Sequence, residues 1–132
     1  GDTDYPTEYS DNLKALAGEN GVILTGFITG EKLNQVFTWA GLYVMSSFEE
    51  GLPIALLEAM SYDIKALASD IPANLQVELD SDDYSRVGDE DDLKNKILVK
   101  INSGKKNNFS EILKQRFNWD KIAFDTYNTY KL

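Results

Sequence analysis

The chain has 132 residues, enough for one domain, and 42% of them are hydrophobic, so it can bury a core. Thirteen Lys and Arg against 22 Asp and Glu leave a net charge of −9, which argues against a duplex nucleic-acid binder and against electrostatic docking of this piece on an anionic membrane. With no cysteine and no histidine, disulfides, thiolate catalysis, Cys/His zinc sites and a Ser-His-Asp triad are excluded, and acid–base chemistry falls to carboxylates, lysines or tyrosines. No apolar run approaches the roughly 20 residues of a membrane span. The opening Gly1-Asp2-Thr3-Asp4 does not read as a signal peptide, so a soluble, cytoplasmic protein is expected.

In chain order, Tyr9, Leu13 and Leu16 share one helical face, and Gly18 to Gly21 reads as the stop. Val22-Ile23-Leu24 is expected to be a short buried strand ended by Thr25-Gly26. Leu33, Val36, Phe37 and Ala40 follow the helical spacing and predict a helix with its apolar face inward. Leu42 to Met45 predicts a second strand. Ile54 to Met60 predicts a helix with Pro53 in its first turn. Lys65 to Ala68 and Tyr84 to Val87 predict two more strands. Leu93, Ile97, Leu98 and Ile101 mark a helix whose start carries Asp89 to Asp92, suited to its positive end. Phe109 to Tyr130 reads as one or two helices. Short apolar runs alternating with amphipathic stretches are the pattern of an α/β domain on a parallel sheet, where ligands sit at the carboxyl ends of strands.

The stretch from Ser46 to Met60 carries the chemistry. It follows a strand and opens a helix. Gly51 permits a tight turn and a close backbone approach. The helix N-terminus offers free amides and a positive dipole to an anion. Glu58, further along the helix, can accept hydrogen bonds from vicinal hydroxyls such as a ribose pair, and Glu50 can meet another polar ligand group. Solvated glutamates at a helix start satisfy the same pattern, because they suit the dipole.

Glu50 and Glu58 have seven residues between them. With Gly51-Leu52-Pro53 and Glu58-Ala59-Met60, they resemble the E-x7-E signature of glycosyltransferase family 4, which has the GT-B fold. Gly26-Phe27, Ala40 to Val44, Ala68 to Asn74, Val87-Gly88-Asp89, and Phe117-Asn118-Trp119 followed by Tyr127 resemble further segments of that family in the same order. The resemblance implies a Rossmann-like α/β half-domain, the C-terminal, donor-binding part of a retaining glycosyltransferase of hexosyl-transfer type acting in polysaccharide or glycolipid synthesis. Glu58 would hold the ribose of a nucleoside-diphosphate sugar. Glu50, the catalytic candidate, would sit near the donor sugar. Amides around Gly51, Leu52 and Ile54 would hold the diphosphate, and Gly26, Phe27 and Ile28 would flank the base. The resemblance implies no metal and no cofactor beyond the nucleotide-sugar donor.

The resemblance also sets Gly1-Asp2 at the end of the family's second strand, so the first two strands of the sheet and the N-terminal acceptor domain would be absent here, together with the family's phosphate-binding Arg and Lys. The isolated chain is then expected to lack turnover, and the full-length protein to work in the cytoplasm or at the inner face of a membrane. Unpaired strand edges make a homodimer or a domain swap an expected partner arrangement. Asp63 and Lys65 stand where the family usually has Gly and Pro, and Gln76 where it often has an acid. These departures motivate an alternative, a non-catalytic, degenerate glycosyltransferase-like interaction module. A receiver-like domain would need a strand-end Asp with acidic partners upstream, which this sequence does not show.

Glu78, Asp80, Asp82 and Asp83 read as a solvated acidic loop, since the EF-hand spacing is missing. Lys105 to Asn108 reads as a polar connection. Trp39, Trp119, Tyr127 and Tyr130 can form a sugar platform, but their helical spacing favours core or domain-interface packing.

Overall fold

The computed structural model describes residues 5–104 and 108–131. The chain divides into two compact units between Val36 and Phe37. The readings of Gly1-Asp2 as a strand end and of residues 105–107 as a connection lie outside the described residues.

The first unit holds helix α1 (Glu8–Glu19) and most of α2 (Gly30–Trp39). Thr7 and Ser10 cap α1 reciprocally: the Ser10 amide donates to Thr7 Oγ1 at 3.2 Å and the Thr7 amide to Ser10 Oγ at 2.8 Å. The expected stop is built as a Schellman motif. The Val22 amide donates to Ala17 O and the Gly21 amide to Gly18 O, with Gly21 left-handed at φ 69.

The expected strand at Val22-Ile23-Leu24 does not form. These residues are irregular, and Ile23 is 85% exposed. A strand exists only through pairing, and none of the described strands pairs with this run. The apolar stripe of α2 is partly covered: Phe37 is buried, Leu33 and Ala40 are half-buried, Val36 is exposed, and Ala40 lies beyond the helix end.

The second unit is an α/β layer. Strands β1 (Tyr43–Met45), β2 (Ala66–Ser69) and β3 (Tyr84–Ser85) form a parallel sheet in the order β1-β2-β3. Helices α3 (Ile54–Ser61), α4 (Pro72–Leu75), α5 (Glu90–Asn102), α6 (Ser110–Arg116) and α7 (Trp119–Thr129) connect or follow them. Each strand lies within one or two residues of its expected place, except that β3 stops at Ser85 rather than Val87. Pro53 is the N-cap of α3, one residue before the helix proper.

The core lies on one sheet face. Ala66, Ala68 and Tyr84 meet Leu56 and Met60 of α3, with Val77, Leu79 and Phe109 closing it. Side chains alternate along a strand, so Leu67, Ser69 and Ser85 point to the other face. The short α4 went unforeseen; Pro72 at its first turn and the buried Asn74 mark it.

Three residues that looked incidental hold this unit together. Asp83 is not in a solvated loop: it is 3% exposed and ion-paired with Lys100 of α5. Lys65 donates to Lys100 O at 3.0 Å and Ser103 O at 2.5 Å, closing carbonyls left open at the C-terminal end of α5. Asp63 occupies the left-handed region at φ 55 and accepts the Phe109 amide at 3.2 Å, so the residue that replaces a glycine also anchors the start of α6. Asp89, read from sequence only as a charge suited to the helix's positive end, caps α5 by accepting the Asp92 amide at 2.9 Å.

Candidate functional site

The loop from Ser46 to Pro53 leaves the carboxyl end of β1 and enters α3. A chain of hydrogen bonds sets its course. Asn74, fully buried, donates through Nδ2 to Ser69 O at 2.9 Å and Ser69 Oγ at 3.1 Å. Ser69 Oγ donates to Ser47 O at 2.5 Å, and Ser47 Oγ donates to Glu50 Oε1 at 2.7 Å. The ends of β1 and β2 and the start of α4 therefore converge on the Glu50 carboxylate. Asn74 Oδ1 is left without a hydrogen-bond partner, a cost tolerated beside two good donor contacts. Ser69→Ala is expected to lower stability by about 1–3 kcal/mol, since it strips both Asn74 Nδ2 and Ser47 O of a partner. Urea unfolding measures the loss, and faster amide exchange from Ser47 to Glu50 should accompany it.

Tyr43 is the first residue of β1. Its phenol is pushed above the usual tyrosine range, first by burial and then by the negative charges of Glu50 and Glu58. Tyr43 therefore stays neutral at physiological pH. Glu58 sits about one turn into α3. It lines an open cavity of about 440 Å³ with Leu57, Ser61, Phe117 and Trp119. It forms no ion pair with a described residue.

The phosphate-facing backbone differs from expectation in one respect. Pro53 has φ −77 and ψ 65, and the Ile54 amide donates to Leu52 O at 2.8 Å, an inverse γ-turn. The Ile54 amide is therefore engaged. From Gly51 to Ala55, the amides that meet no backbone carbonyl among the described residues are those of Gly51, Leu52 and Ala55, and the sequence did not single out Ala55. Added Cβ atoms at Gly51 would meet open space, and its φ lies outside the left-handed region. What glycine provides there is clearance on the side open to a ligand.

Gly26, Phe27 and Ile28 lie in the first unit. Gly26 is left-handed at φ 64, Phe27 is 89% exposed and Ile28 is partly buried. Gln76 ends α4 and is exposed. Core packing of the aromatic tail is not observed: Trp119 is 67% exposed, and Trp39, Tyr127 and Tyr130 are exposed too. Among the described residues there is no group of three or more His, Cys, Asp or Glu placed to hold a metal ion, and no helix long and apolar enough to cross a membrane.

A strand–loop–helix junction with two carboxylates eight positions apart, at the carboxyl edge of a parallel sheet, is the arrangement the E-x7-E resemblance implied. The family model of the group 1 glycosyl transferases matches residues 1–103. The chain belongs to that family. Its three-stranded parallel sheet with flanking helices is a Rossmann-like half-domain of the GT-B type, and glycosyl transfer is its class of chemistry. No curated protein and no solved structure matches the chain. Within this group 1 glycosyltransferase, the glutamates singled out by sequence lie on the loop after β1 and on α3.

Proposed function

We propose that the chain is the donor-binding domain of a retaining glycosyltransferase that moves a sugar from a nucleoside-diphosphate sugar to an acceptor hydroxyl in polysaccharide or glycolipid synthesis. The observation that supports this reading is the placement of Glu50 on the loop leaving the carboxyl end of β1 and of Glu58 on the helix α3 that follows, in a chain of the group 1 glycosyl transferase family. Glu58 accepts hydrogen bonds from the ribose hydroxyls. Glu50, held by Ser47, faces the donor sugar as the catalytic candidate. The free amides of Gly51, Leu52 and Ala55 and the N-terminal end of α3 face the diphosphate. As the anomeric carbon–phosphate bond breaks and the acceptor oxygen bonds to that carbon, charge grows on the leaving diphosphate, and pre-aimed amides stabilise it without a metal. Gly26, Phe27 and Ile28 are proposed to flank the base on the strength of the resemblance alone. Transfer itself is proposed to need the acceptor domain of the full-length protein.

Calorimetric or NMR titration with UDP, GDP and ADP tests the reading. One diphosphate is expected to bind saturably, with EDTA making no difference, and Glu58→Ala is expected to weaken it at least about tenfold, or 1.4 kcal/mol. Absence of binding by any of the three up to millimolar, about −4 kcal/mol, would overturn it in favour of a non-catalytic interaction module. Asp63 and Lys65 do not favour that module, because each has a structural task in this fold.

A further inference from the structure

A second cavity, of about 290 Å³, lies at the carboxyl ends of all three strands. It shares no lining residue with the cavity that holds Glu58. Ser46 follows β1, Ser69 ends β2 and Ser85 ends β3, with Ser69 and Ser85 opposite each other in register. Both point away from the α3 core, and Glu90 and Leu93 of α5 complete the wall.

The three hydroxyls are not equivalent. Ser69 is fully engaged with Ser47 and Asn74. Ser85 is 3% exposed, yet its hydroxyl forms no hydrogen bond with any described residue. It is not sealed in the interior either, where Asn74 Oδ1 alone stands unpaired, so it opens onto the cavity it lines. A hydroxyl brought to the end of a buried strand and left without a partner is expected to find one in a ligand. Across from it, Phe48 offers an exposed ring beside Gly88: a methyl group added to Gly88 would sit 3.4 Å from the ring.

Charge narrows the ligand. Arg86 is the sole cation in the lining, and Asp89 holds it at 2.9 Å with Asp92 behind. The first turn of α5 is acidic, which opposes an anion at its N-terminus. Hydroxyls, a carboxylate acceptor and one flat apolar wall, with no spare positive charge, suit a neutral polyol. We propose that this cavity binds a single neutral monosaccharide unit, with sugar hydroxyls on Ser46, Ser85 and Glu90 and a C–H face against Phe48. The proposal does not depend on nucleotide binding at Glu58.

Titration of the ¹⁵N-labelled chain with glucose, galactose, mannose, N-acetylglucosamine and, separately, inorganic phosphate tests it. At least one sugar is expected to shift the amides of Ser46, Phe48, Ser85 and Gly88 saturably, with a millimolar Kd, and phosphate is not. Ser85→Ala and Phe48→Ala should each weaken that binding at least about fivefold. Ser85→Ala should leave the melting temperature unchanged, because the hydroxyl has no partner inside the protein. The proposal is overturned if no sugar saturates by about 100 mM, if phosphate does so instead, if Ser85→Ala binds as wild type, or if that variant is markedly destabilised. Nucleotide titrations run in parallel report on Glu58 independently, so either reading can fail alone.

Discussion

Asp83→Ala is expected to be among the most damaging single changes, at about 3–5 kcal/mol, because it removes a buried carboxylate ion-paired with the nearly buried Lys100 ammonium. A domain of ordinary stability holds about 5–15 kcal/mol in all, so this loss brings the chain close to unfolding. The size of the effect measures the loss of a buried counter-charge rather than the net worth of the ion pair. The double variant Asp83→Leu with Lys100→Met removes both charges and should recover most of the loss. Urea unfolding should move the Asp83→Ala midpoint by more than about 1 M. A midpoint within experimental error of wild type would show the pair to be solvated, as the sequence alone implied.

Leu56→Ala should cost about 2–5 kcal/mol, since Leu56 is fully buried where α3 meets Ala66, Ala68 and Tyr84. Ile54, two residues earlier on the same helix, is exposed, and Ile54→Ala should stay within about 0.5 kcal/mol. The contrast bears on function, because α3 carries Glu58. If nucleotide binding falls with Leu56→Ala only as far as folding does, while Glu58→Ala lowers it in a fully folded protein, the helix is scaffold and the carboxylate is ligand. Equal unfolding midpoints for Leu56→Ala and Ile54→Ala would contradict the packing described here.

Local rules were readable in the sequence wherever the physics is local. The spacing of Glu50 and Glu58 across a strand–helix junction needed only residue identities and periodicity. The Gly18–Gly21 stop, the acidic start of α5 and the left-handed Asp63 follow from preferences that act within a few residues. The apolar runs of β1 and β2 and the helices α3, α5, α6 and α7 were legible for the same reason.

Long-range pairing was not legible, and it decides the rest. Lys65 and Asp83 looked like ordinary surface charges until the fold brought them to α5, 35 and 17 positions away for their Lys100 contacts. Val22-Ile23-Leu24 has strand composition, but a strand needs a partner as well as a pattern. The Ile54 amide was assigned to a ligand on sequence, and the turn at Pro53 gave it to Leu52 instead. The link from Asn74 through Ser69 and Ser47 to Glu50, and the unpartnered Ser85 facing α5, join residues from separate βα segments. The sequence by itself determined the family and most of the α and β elements of the second unit, because each is written in short spacings. Only the tertiary structure decided which charges are buried, which amides are free and which hydroxyl is left over, because those depend on what comes to lie beside each group when distant segments pack.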